Sequence, residues 1–169
     1  MKSLMERRRE IMEVMNNMSV NFRLIKEITI AEETGNIYVT TDNNGNQFSL
    51  TEMVVIFDDV VATNNGTGGV SVNSGNNPSG TGSNGVFLTI PNLCSTTARK
   101  MTAHITVDGG RMFGKAFTAP ASFNTYGSAN WTSNYNAAGV KECGKIHEFC
   151  IGSYNSYKLT SGTITVYGR

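Results

Sequence analysis

The stretch "KMTAHITVD", Lys100–Asp108, decides the fold. Met101, Ala103, Ile105 and Val107 alternate with Thr102, His104, Thr106 and Asp108. A period of two places the first set on a core and the second in water, which is the pattern of a half-buried strand. Working outward, short β-branched and aromatic runs recur on both sides with turn residues between them: "LIKEITI", "NIYVTT", "FSLTEMVVIF", "GVSVNS", "GVFLTIP", "RMFGKAFT", "KIHEFCI" and "GTITVYG". Short strands at this spacing predict an all-β chain, a single antiparallel β-sandwich or jelly roll over residues 23–169. The closing "SGTITVYGR" points Ile164 and Val166 inward, so the last ten residues carry a core strand that the fold cannot lose cheaply.

The first 22 residues, "MKSLMERRREIMEVMNNMSVNF", have a different period. Met1, Leu4, Arg8, Ile11, Met15 and Met18 step by three and four residues alternately, the apolar seam of a short α-helix. Glu6, Arg7, Arg8, Arg9, Glu10 and Glu13 interrupt every candidate hydrophobic core of a signal peptide, so export by that route is not expected. Two readings of the seam stand side by side: an amphipathic helix lying on its own or a neighbouring β-domain, and a self-associating coiled coil. Methionine adapts to irregular grooves. Residues 1–22 are therefore read as an anchor or assembly helix with Leu4, Arg8, Ile11, Met15 and Met18 as its contact residues.

At 169 residues and 39% hydrophobic composition the chain supports one domain plus an appendage. A net charge of +1 gives no global attraction to nucleic acid, and the basic residues near the start alternate with glutamates as on a solvated helix face. Three cysteines, Cys94, Cys143 and Cys150, form no dense framework and suggest a reducing compartment. No apolar run approaches a membrane span, so direct membrane insertion is not expected.

Two loops stand out. Residues 62–85, "ATNNGTGGVSVNSGNNPSGTGSNG", predict a long exposed loop with at most a short strand at Val70–Val72. Residues 118–139 carry Phe123, Tyr126, Trp131 and Tyr135 among Asn and Ser. Aromatic faces stack on sugar rings and amides bond hydroxyls, so Tyr126, Asn130, Trp131, Asn134 and Tyr135 form a candidate glycan platform. The competing reading makes the same aromatics a plug for a sandwich end or a subunit interface.

The chemical motifs are weak. "GTGSNG" at 80–85 has the spacing of a dinucleotide loop, but a strand follows it where a helix must. "DNNGN" at 42–46 has a calcium-like start, yet its glycine is misplaced and Met53 stands where the closing glutamate belongs, which leaves a hairpin turn on Asn44-Gly45. Cys143, His147 and Cys150 do not converge on a zinc ion if 145–151 is a strand, and are read as a packed histidine and buried thiols. Asp58 and Asp59 are expected to face opposite ways. No nucleophile elbow is present. The chain is read as having no catalytic residues, no metal and no cofactor; for a glycan hydrolase only Asp108 and Glu148 would suggest themselves as a carboxylate pair.

Taken together, "MERRREIM", "EITI", "VTTDNNGNQFSLTEMVVIF" and "SGTITVYGR" resemble structural proteins of tailed-phage and prophage virion modules. In those, a variant of "tDsnGnpF.Lte..i.f" opens a β-sandwich and a "G..I.iYGR" strand closes it; Gln47 stands where that pattern has proline. The resemblance implies a non-enzymatic virion component: a head or tail fibre, a baseplate appendage or a decoration protein. Such proteins are commonly homotrimers, made in the host cytoplasm and carried on the virion. It further implies a larger virion protein as partner of the N-terminal helix and a host surface glycan as the outward contact. A free bacterial carbohydrate-binding module is the alternative from outside that family.

Overall fold

The computed structural model describes residues 22–73, 75, 86–108, 111–119, 127–128, 145–153 and 155–169. The helix expected over 1–22 lies outside the described residues except for Phe22, and no helix occurs among the described residues. The chain forms β1 (Arg23–Ile30), β2 (Ile37–Val39), β3 (Glu52–Ala62), β4 (Gly66–Val72), β5 (Val86–Cys94), β6 (Arg99–Asp108), β7 (Arg111–Ala119), β8 (Gly127–Ser128), β9 (Phe149–Ser153) and β10 (Leu159–Gly168).

Two antiparallel sheets result, one in the order β1-β10-β3-β6-β7-β8 and the other β2-β9-β4-β5. With β7 and β8 set aside, the remaining strands pair in nested fashion: β1 with β10, β2 with β9, β3 with β6, β4 with β5. A chain folded back on itself as one long ribbon and then rolled gives this order. Its two halves are stitched by the β10–β3 and β4–β9 ladders.

The core lies between the sheets. In β6, Met101, Ala103, Ile105 and Val107 are buried and Thr102, His104 and Thr106 are not, as the alternation requires. β10 is a central strand, with Ile164 and Val166 fully buried and β1 and β3 on its two sides. Phe57, Phe149, Leu50, Met53 and Ile105 are among the largest buried side chains.

Three expectations need correction. Gly66–Val72 is a seven-residue strand flanked by β5 and β9, and Gly68 to Val72 are all buried, so the exposed segment after Ala62 is much shorter than 62–85. The turn at 42–46 does form: Gly45 takes φ +80° and its N–H donates to Asp42 O at 3.1 Å. It does not, however, close a hairpin, because β2 and β3, the strands on either side of it, belong to different sheets. Instead Asn43 N–H bonds Ile25 O at 2.9 Å and Glu27 N–H bonds Asn43 Oδ1 at 3.1 Å, which covers part of the free edge of β1. Finally, β9 begins at Phe149, and His147 is exposed in the segment before it.

Candidate recognition surface

The strand order sorts the connections to two ends of the sandwich. At the end where β1 begins, Phe22 lies 5.1 Å beneath the Arg169 guanidinium. Arg169 donates Nε–H to Glu52 Oε2, while Glu52 Oε1 meets His104 Nε2. Burial works to raise the Glu52 pKa, but the bonds from His104 and Arg169 outweigh it and hold the carboxyl below its ordinary value. Leu50 and Ile146 exchange both backbone hydrogen bonds, 2.7 and 3.0 Å, and tie the two sheets together at this end.

The same end holds a second network. Asn73, at φ +52°, donates Nδ2–H to Lys145 O (2.8 Å) and its N–H to Glu148 O (3.1 Å), and accepts His147 N–H at Oδ1 (3.0 Å). Glu148 Oε1 accepts Gly75 N–H at 2.7 Å and Oε2 accepts the Tyr38 hydroxyl. That hydroxyl bond, followed by burial and the carboxylate charge, pushes the Tyr38 pKa up to about 12. Thus Gly75 and Val86, which bracket 76–85, and Lys145, which follows 129–144, all sit at the entry end. Tyr126, Asn130, Trp131, Asn134 and Tyr135 lie outside the described residues, as do Leu4, Arg8, Ile11, Met15, Met18, Cys143 and the glycines of 80–85.

Among the described residues, the opposite end is built from the short connections 31–36, 63–65, 95–98 and 155–158. Thr34 and Leu159 exchange backbone bonds, Ala62 N–H bonds Ser95 O, and Thr63 N–H bonds Lys158 O. Thr96 N–H caps Asn65 Oδ1 at 3.0 Å, and buried Ser153 Oγ accepts from Asn155 and Tyr157 N–H. This braced end offers solvent the neutral polar side chains of Asn36, Thr63, Asn64, Thr97, Asn155 and Ser156 beside the charged Glu32, Glu33 and Lys158, and Lys158 Nζ donates to Glu33 Oε2 at 3.1 Å. Sequence reading passed over 31–36, 95–98 and 155–158 because each is short, and placed 63–65 inside a much longer loop; the signal these connections share is the recurrence of Asn and Thr between strands.

Nearby, Asp58 and Asp59 do not face opposite ways as expected. Asp59 takes φ +53° in a bulge between Phe57 and Val60, and Lys100 Nζ bonds Asp58 Oδ1 and lies 3.5 Å from Asp59 Oδ1. Asp108 and Glu148 belong to different sheet systems: Asp108 ends β6, and Glu148 precedes β9 and is engaged by Tyr38 and Gly75. Asp42 spends its carboxylate on the turn, accepting Asn44 and Asn46 N–H at 2.9 Å each, and the backbone bond from Asn46 is the chief reason its pKa is lowered. Among the described residues no group of His, Cys, Asp and Glu is placed to hold a metal ion. Cys94 and Cys150 are buried thiols; burial raises both pKa values, that of Cys150 to about 11 with the Glu148 charge adding to it.

One surface was missed altogether. The outer face of the six-stranded sheet carries Leu24 (44% exposed), Ile56 (37%) and Tyr167 (36%), with half-buried Val54 between them. The signal was present in "MVVIF", which is apolar at both parities although β3 turns only one face to the core.

Comparison with protein-family models, curated proteins and solved structures finds no match to the chain. No helix among the described residues is long and apolar enough to cross a membrane.

Proposed function

We propose that the chain is a non-enzymatic virion structural protein of a tailed phage, attached by residues 1–22 to a larger virion protein and displaying its β-domain outward. The nested strand pairing is read as a jelly roll, an architecture shared by viral capsid and lectin domains. Fold alone does not carry function. The observation that carries the reading is one of placement: Phe22, where the N-terminal segment joins the domain, lies at one end, and the braced cluster of short loops, rich in Asn and Thr and carrying Glu32, Glu33 and Lys158, lies at the other. A module held at its entry end turns that cluster away from its attachment. Amide and hydroxyl groups there suit a glycan of the host surface, and homotrimeric display would multiply weak contacts through effective concentration. No nucleic-acid partner, cofactor or membrane insertion enters this proposal.

The experiment is incorporation. Deleting residues 2–20 should remove the protein from particles while the β-domain stays folded by circular dichroism; unchanged incorporation would sink the anchor assignment. Within the same proposal, a particle lacking the chain that adsorbs normally to host cells would make it a decoration protein without a receptor role. A free carbohydrate-binding module, the other jelly-roll use, predicts a monomer that binds sugar without any particle.

A further inference from the structure

We propose that residues 1–21 pack as an amphipathic helix across the outer face of the six-stranded sheet of their own chain, with Met18, Met15 and Ile11 covering Leu24, Tyr167 and the Val54–Ile56 pair.

The first support is the face itself. Leu24 is the register partner of Tyr167, Tyr167 of Val54, and Val54 of His104, so these residues form one row across β1, β10, β3 and β6. The adjacent row is Glu27, Thr165, Ile56 and Thr102. The row is apolar over three strands and turns polar at the fourth. Three of the four large apolar side chains exposed among the described residues lie on this patch. A solvated face of an antiparallel sheet is expected to be polar throughout.

The second is where the chain enters. Phe22 is fixed beneath Arg169, and Leu24, two residues on, opens the apolar row at the sheet's edge. A helix ending near Met18 needs only a few residues to turn onto that row.

The third is commensurability. Strands lie about 4.8 Å apart, so β1 to β6 is about 14 Å. A helix rises 1.5 Å per residue, so Met18 to Arg8 is about 15 Å. Running back from Met18, the seam reaches Met15 about 4.5 Å along and Ile11 about 10 Å along, close to the spacings of β10 and β3 from β1. Arg8, the one charged residue of the seam, then falls over β6, whose outward residues are Thr102, His104 and Thr106. From Met18 to Arg8 the apolar-to-polar order of the seam matches that of the sheet row across β1, β10, β3 and β6.

The inference does not rest on the virion reading. It concerns the purified chain, and attachment would then use the outward side of the docked helix or displace it. The test is a disulfide trap in the full chain with Cys143→Ser. Met15→Cys with Tyr167→Cys should close an intramolecular bridge under mild oxidation by oxidised glutathione, running as a monomer on a non-reducing gel. Glu13→Cys with Tyr167→Cys, on the other side of the helix, should not. Bridges that are only intermolecular would overturn own-chain packing in favour of a neighbouring copy, and no bridge from either pair would overturn docking on this face. Independently, Ile56→Lys should speed tryptic cutting at Arg7–Arg9 about tenfold, because an undocked segment opens freely; an unchanged rate would also overturn the proposal. Neither result bears on incorporation into particles, so the two proposals fail separately.

Discussion

Gly162 of β10 lies directly on Val60 of β3: a Cβ at Gly162 would stand 2.6 Å from Val60 Cα and 2.8 Å from Asp59 O. Gly162 also takes φ +115°, and the ladder slips on both sides of the contact, between Ser161 and Thr163 and between Phe57 and Val60. The bulge that swings Asp59 toward Lys100 therefore requires glycine opposite it. Gly162→Ala should cost about 3 kcal/mol, combining backbone strain with displacement of β3. Gly35→Ala, where an added Cβ meets nothing within 4 Å, should be neutral within about 0.5 kcal/mol. Urea midpoints of the two variants check this, and equal midpoints would refute it.

Glu52 joins β3 to β6 and to Arg169. Its pKa is lowered in the folded state, so its contribution is present above the ordinary glutamate pKa and is lost as pH falls through the folded value. Stability should therefore drop on the acid side, below about pH 4.5. Because His104 and Arg169 are each nearly half exposed, Glu52→Gln should cost no more than about 1 kcal/mol near neutrality and should flatten that acid limb. Chemical denaturation at pH 7 and pH 3.5 measures both; an unaltered pH slope in the variant would discard the assignment.

What was legible in the sequence follows from burial of one face. β6 and β10 show their alternation because each turns one side to water. β4 and β9 are buried on both sides, and the glycines of β4 read as loop residues although Gly68 serves close packing. A Cβ at Gly68 would lie 2.5 Å from Gly152 O and 2.7 Å from Leu93 Cδ2, and one at Gly66 would run into the Tyr157 ring, so these two glycines of "GTGGVSV" answer to crowding. The bulge at Asp59 was illegible for another reason. Strict alternation sends neighbouring aspartates to opposite faces, and only the slip of register against Gly162 lets both approach Lys100. The loops at the far end come together only through sheet topology, which no local pattern encodes.

Tyr38 and Glu148 give a spectroscopic prediction. The Tyr38 hydroxyl, donated to Glu148, is held protonated to about pH 12. A raised folded-state pKa contributes stability that is complete below the ordinary value near 10 and fades as pH climbs toward the folded value. Titration of the absorbance at 295 nm should show a late tyrosine ionisation, and Tyr38→Phe should remove that step. Glu148→Gln should return it toward about 10. A late step that survives Tyr38→Phe would assign it elsewhere.

Cys94 and Cys150 should be inert until the sandwich opens. Both thiols are fully buried, and burial disfavours the thiolate that attacks a disulfide reagent. Their environments differ in one respect: Ser153 hydrogen-bonds to Cys94 and works against its upward shift, whereas the Glu148 charge adds to that of Cys150. In a Cys143→Ser background, a thiol-disulfide reagent at pH 8 should label neither residue over minutes, then label both in urea with the same midpoint as loss of β-structure. With Glu148→Gln added, Cys150 should remain unlabelled in the folded protein, because burial is the first cause of its shift and the Glu148 charge the second. Rapid labelling of native Cys150 would mean that β9 opens without the rest of the four-stranded sheet, and would separate the stability of β9 from that of the core it closes.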